Sequence, residues 1–141
     1  MKITCSKSEL RKFKVRAGKH YPHEYMETLF GINGGPAGCD ILLISPVPHA
    51  GNKHQCSSTD EIWDQHVEDV AEEQGLTWLG SIHTHNGNIH HPGPSPSDNS
   101  EAIRCLENFF AIDCITRRPS GRLVHSVQFW FPQYPIKSTL K

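Results

Sequence analysis

The most informative run in the chain is Trp78-Leu-Gly-Ser-Ile-His-Thr-His85, followed after a gap by Pro94-Ser-Pro-Ser-Asp98. Thr77 to Ile82 is a short apolar strand that leads directly into His83. In a strand, residues two apart face the same side, so His83 and His85 can converge on one ion. Residues 86–97 contain three prolines and two glycines and are expected to be irregular. That segment would bring Asp98 back as an oxygen ligand. Two imidazoles and a carboxylate leave a fourth zinc position for water, the arrangement of a catalytic rather than a structural site. Zinc lowers the pKa of a bound water to about 7. The competing reading of Asp98 is a plain helix N-cap, with Glu101 completing a capping box. His-x-His alone carries little weight in a chain with ten histidines; the added Ser-x-x-Asp makes the pattern specific.

Working outward from this run, the spacing predicts alternating elements. Lys2 to Cys5 reads as a strand, and Leu10, Phe13 and Ala17 mark a helix beginning after Ser6. Pro22 suits the first turn of a short helical segment carrying Glu24. Leu29 to Ile32 and Asp40 to Val47 read as strands joined through Gly34, Gly35, Pro36 and Gly38. After a polar stretch at 48–58, Ser58 and Glu61 suggest a capping box. The helix they open would have Trp63, Val67, Val70 and Ala71 on its core face and Gly75 at its end. A third helix starts near Asp98, with Ala102, Ile103, Leu106, Phe109 and Phe110 on its apolar face. Ala111 to Arg117 and Arg122 to Phe131 complete the strands, the latter buried on both faces. The order predicts an α/β fold with one mixed, mainly antiparallel sheet flanked by helices.

The chain's 141 residues fit a single domain, 1–141, with 36% apolar and 21% charged residues. The formal net charge is -1, and Lys and Arg are scattered, which argues against nucleic acid or an anionic membrane as partner. The N-terminal MKITCSKSELRKFKV has no apolar run of the signal-peptide kind, and a cytosolic protein is expected. Cys5, Cys39, Cys56, Cys105 and Cys114 form no Cys-x-x-Cys pair and read as idle thiols.

Hydrolysis at a metal-bound water needs a base. Glu24 and Glu27 in Tyr21-Pro-His-Glu-Tyr-Met-Glu27 are both candidates, and spacing alone does not choose between them.

The run from Ile82 to Asp98 resembles the JAMM motif of the JAB/MPN (Mov34/PAD-1) family: His-Ser/Thr-His, a gap, then Ser-x-x-Asp. Tyr21-Pro22-x-Glu24, with Leu29-x-Gly31 behind it, is similar to that family's glutamate-bearing helix and following strand. The resemblance implies a cytidine-deaminase-like α/β sandwich with Zn2+ held by His83, His85 and Asp98. It implies Glu24 as general acid/base and Ser95 as the serine that stabilises the tetrahedral oxyanion. It also implies a zinc isopeptidase or peptidase acting at the C-terminal tail of a ubiquitin-like or sulfur-carrier protein, alongside E1-like or E2-like enzymes. A non-catalytic MPN-like scaffold and a metallohydrolase of small peptides are the alternatives. The chain departs from the motif in three places. The gap from His85 to Ser95 is two residues longer and contains His90 and His91, with Ser97 as a rival to Ser95. Asn86 stands where proline is common, and Glu27 stands where glycine is common.

Overall fold

The computed structural model describes residues 2–47 and 61–132. Along them run β1 (Ile3–Cys5), α1 (Lys7–His20), β2 (Met26–Asn33), β3 (Cys39–Pro46), α2 (Glu61–Gln74), β4 (Thr77–Asn86), α3 (Pro96–Arg104), β5 (Phe109–Arg117) and β6 (Leu123–Trp130). The strands form one sheet in the order β1-β3-β2-β4-β5-β6. β1–β3 and β4–β5 pair in parallel, while β2–β3, β2–β4 and β5–β6 are antiparallel. The sheet is therefore mixed and mainly antiparallel, and the architecture is α/β. No helix among the described residues is long and apolar enough to cross a membrane.

Helices cover both faces. Ser6 caps α1 by accepting from the Glu9 amide, and Phe13 and Ala17 bury against Leu29, Ile82, Phe109 and Ala111. On the opposite face, Trp63 of α2 packs on Met26, and Ala102 of α3 packs on Phe110 and Ile112. β6 lies between the two layers, with Phe129 in the first core and Trp130 against the α3 cluster. Gly31 sits where the register between β2 and β3 shifts; a Cβ there would lie 1.8 Å from the Asp40 carbonyl oxygen. Only glycine permits that approach of the strands.

Several boundaries differ from the sequence reading. Residues 21–25 do not form the expected short helix; β2 starts at Met26, three residues earlier than expected. The Tyr25 carbonyl accepts from the Thr84 amide, so this segment is already drawn into pairing with β4. α3 begins at Pro96 with Ser95 as its N-cap, so Asp98 is a first-turn residue rather than the cap. The helix ends at Arg104 in a Schellman arrangement: the Glu107 amide donates to the Ala102 carbonyl and the Leu106 amide to that of Ile103. Leu106 takes the left-handed position at φ 59° and is exposed, while Phe109 and Phe110 open β5 instead of extending the helix face.

The expected Ser58 cap and Cys56 lie outside the described residues. Among the described residues, Cys5, Cys39 and Cys114 are free thiols, as the sequence reading expects.

Candidate metal centre

β4 carries His83 and His85 on the face covered by α2 and α3. Its register places His83 opposite Met26 on one side and Ile112 on the other, both of which pack into that layer. Both histidines are buried, and they lie inside the strand rather than beyond its end. Pro96 then starts α3, and Asp98 in its first turn points back at them. His83 Nε2 is 3.3 Å from Asp98 Oδ1, and His85 Nε2 is 3.1 Å from Asp98 Oδ2. One ligand atom from each of the three residues falls within 4.8 Å of the others.

The helix start and the carboxylate position are one device. Ser95 Oγ accepts from the Asp98 amide at 3.0 Å, and the Ser95 amide donates to Asp98 Oδ2 at 2.9 Å. This is a reciprocal capping box, and its acidic member is the candidate ligand. Ser95 is exposed, with its oxygen occupied in the cap and its hydroxyl hydrogen available to an outside acceptor. Ser97 is exposed as well.

The lengthened gap contributes a bond of its own. His85 Nδ1 is 3.0 Å from the His91 carbonyl oxygen, an acceptor only, so Nδ1 carries the proton. In the neutral ring, Nε2 is then a bare lone pair facing a carboxylate oxygen. Two electron-rich atoms at that separation need a proton or a metal ion between them. A borderline ion such as zinc fits this set of two nitrogens and one oxygen, and the His91 carbonyl is the outer partner that orients the ring. His91 Nδ1 itself accepts from the Gly93 amide, so this ring is tied into the loop, while His90 stands exposed with its ring centroid 6.2 Å from that of His85.

The electrostatics follow from the geometry. Burial alone would raise the Asp98 carboxyl, but hydrogen bonds with His83 and His85, joined by the Ser95 amide, hold it far below the usual carboxylate range. The hydrogen bond to Asp98 pushes the His85 imidazole up against burial, with the His91 carbonyl and the charges of Asp98 and Glu24 acting the same way. Glu24 itself is exposed.

Glu27 is placed elsewhere. It pairs with Ile82, so it faces α1, on the side of the sheet away from the histidines. Arg16 Nε and Nη2 donate to its two oxygens at 2.7 Å each, and the Tyr25 hydroxyl donates to it as well. It is completely buried.

Behind His83, a small cavity is bounded by Met26, Ser81, Asp98, Glu107 and Phe110. Glu107 is buried there and accepts from the Ser81 hydroxyl. Burial outweighs that bond and pushes its carboxyl up to about 7. The sequence reading missed this residue; its one signal was a glutamate two positions ahead of the apolar run at Phe109.

No protein-family model matches the chain, and no curated protein matches it by sequence. Solved structures do. The solution structure of protein DSY2949 from Desulfitobacterium hafniense overlaps at TM-score 0.60 and 18% identity, covering 91% of this chain and 84% of that one. The solution structure of a protein from Salinibacter ruber overlaps at 0.57 and 17% identity, covering 96% and 92%. A crystal structure of AF2198, a JAB1/MPN domain protein from Archaeoglobus fulgidus, aligns more loosely, at TM-score 0.41 and 20% identity over 81% and 77%. The first two likenesses are likenesses of fold, and they support the α/β architecture.

Proposed function

We propose that the chain is a single-domain zinc hydrolase of the JAMM type, with the cytidine-deaminase-like arrangement of the JAB/MPN fold. Its substrate would be an amide bond at the C-terminal tail of a ubiquitin-like or sulfur-carrier protein, presented by E1-like or E2-like enzymes. One observation carries the reading: the Nε2 atoms of His83 and His85 meet the two Asp98 oxygens at 3.3 and 3.1 Å, while the His91 carbonyl oxygen orients the His85 ring from Nδ1 at 3.0 Å.

His83, His85 and Asp98 would hold the ion, which when bound supplies a Lewis acid and lowers the pKa of water to about 7. Glu24, exposed at the rim, takes a proton from the attacking water and returns it to the departing amine. The Ser95 hydroxyl, anchored through its oxygen to the Asp98 amide, donates its free hydrogen to the developing oxyanion. The buried ion pair with Arg16 keeps Glu27 out of the reaction, so the chemistry falls to Glu24.

Glu24→Gln is expected to lower turnover by about 10²- to 10⁴-fold while zinc binding and thermal stability stay at wild-type values. Wild type and variant would be assayed on a ubiquitin-like tail joined to lysine, a sulfur-carrier adduct and short peptides. Undiminished turnover by a folded, zinc-loaded variant would remove the mechanism. A protein that takes up no zinc would be a scaffold.

A further inference from the structure

Tyr21, Asn86 and Asn88 have no part in the mechanism above, yet they join the segment carrying Glu24 to the segment carrying His85. The Tyr21 hydroxyl lies 2.9 Å from Asn88 Oδ1 and 3.1 Å from Asn86 Oδ1. Both asparagine oxygens are identified by what they accept. The Asn88 amide donates to Asn86 Oδ1 at 3.0 Å, and the Arg117 amide donates to Asn88 Oδ1 at 2.8 Å. The phenol is therefore the donor, sharing its one hydrogen between two carbonyl oxygens. The Arg117 guanidinium lies 5.0 Å over the Tyr21 ring and holds it from above.

Tyr21 is the residue after α1, three positions before Glu24. On the other side of Glu24, the Tyr25 amide donates to Thr84 Oγ1 and the Tyr25 carbonyl accepts from the Thr84 amide, each at 2.9 Å. Thr84 lies between the two candidate ligand histidines, and Asn86 directly follows His85. The segment bearing Glu24 is thus tied at both ends to residues adjoining the metal ligands. We propose that Tyr21 is a positioning residue, whose hydroxyl holds Glu24 at working distance from the metal centre by bonding to Asn86 and Asn88.

The proposal rests on the role given to Glu24 above. Tied at one end only, an exposed segment swings, and misplacing a reacting group by about 1 Å costs on the order of a hundredfold in rate. It also accounts for Asn86 in the place of a proline: side-chain bonds here restrain the chain after His85.

Tyr21→Phe tests this, because it keeps the ring under Arg117 and removes one hydroxyl. Amide exchange at residues 23–25, followed by NMR in both metal-free and zinc-loaded protein, is expected to quicken by about tenfold. Zinc affinity, measured against a chromophoric chelator, should stay within about threefold of wild type, while kcat falls about 10- to 100-fold with KM within about twofold. Unchanged exchange overturns the tether, whatever the activity. Weakened zinc binding also overturns the proposal, since Tyr21 would then act on the ligands rather than on Glu24. Wild-type kcat alongside faster exchange overturns the positioning role. If wild type cleaves no substrate, the role of Glu24 fails and the catalytic part of the proposal with it, while exchange still decides the tether.

Discussion

Two carboxylates, the buried Glu27 and the half-buried Asp98, lie on opposite faces of the same sheet, each held by two side chains. Glu27 is met by both arms of an Arg16 fork and by the Tyr25 hydroxyl, and its side chain is 0% exposed. Guanidinium is permanently charged and donor-only, so that carboxylate is fully satisfied by the protein. Asp98 is met by two imidazoles, one of which donates a hydrogen bond from Nδ1 to the His91 carbonyl, and its side chain is 10% exposed. Both sites bury negative charge, but only the second leaves a place for a cation from outside. A closed pair stabilises the fold, and an open set stores affinity.

The largest expected effect breaks this contrast directly. Asp98→Asn should weaken zinc binding by about a thousandfold, roughly 4 kcal/mol, in competition with a chromophoric chelator. The metal-free protein should lose some stability as well, because His83, His85 and the Ser95 amide favour the ionised Asp98 in the folded chain. Arg16→Met should act in the opposite sense: about 3 kcal/mol lost in urea unfolding, because Glu27 is left buried without its counter-charge, and zinc affinity unchanged. If Asp98→Asn keeps wild-type affinity, or Arg16→Met impairs zinc binding as strongly, the two sites are not different in kind.

A third carboxylate, Glu107, sharpens the comparison, because it has a hydroxyl partner and no cation. Its carboxyl is raised from 4.5 to about 7, chiefly by burial. The fold therefore favours the protonated acid. That contribution to stability is complete below about pH 4.5, shrinks as pH rises, and is lost above pH 7. In full it amounts to about 3 kcal/mol at 1.36 kcal/mol per pH unit. Between pH 5.5 and 8, wild type should lose about 2 kcal/mol from this group. Glu107→Gln should lose none of it, so the two urea-derived stability curves diverge with pH. Parallel curves would mean that Glu107 does not titrate in this range.

The centre was legible in the sequence because its geometry is local. His83 and His85 are two apart on a strand whose apolar approach is visible, and Asp98 is brought back by a proline-rich gap of fixed length. Glu24 against Glu27 was harder, and the difficulty lay in where β2 begins. With the strand starting at Leu29, neither glutamate has a defined face. With it starting at Met26, alternation puts Glu27 on the α1 side, opposite the face bearing His83. The end of α3 misled for a related reason. Leu106, Phe109 and Phe110 continue the helical spacing, but the chain turns at a left-handed leucine and the two phenylalanines enter β5, where contacts with the distant β4 outweigh local periodicity. The Arg16–Glu27 pair and the Ser81–Glu107 pair join residues eleven and twenty-six positions apart, and no local spacing announces them.

The smallest expected effect concerns Ser95, where the fold and the centre share a residue. Its hydroxyl caps α3 by accepting from the Asp98 amide, but the bond that orients the Asp98 carboxylate comes from the Ser95 backbone amide, which any residue but proline supplies. Ser95→Ala therefore removes half of the capping box and leaves the other half in place. Stability should fall by about 1 kcal/mol, the ordinary cost of an N-cap. Zinc affinity should fall by no more than about tenfold, as for an outer partner rather than a ligand. Ser97→Ala, one turn position further on and outside the box, should change neither. A thousandfold loss of zinc binding in Ser95→Ala would mean that the side-chain half of the box, rather than the backbone half, holds the carboxylate toward His83 and His85, and that the open site depends on its cap as closely as Glu27 depends on Arg16.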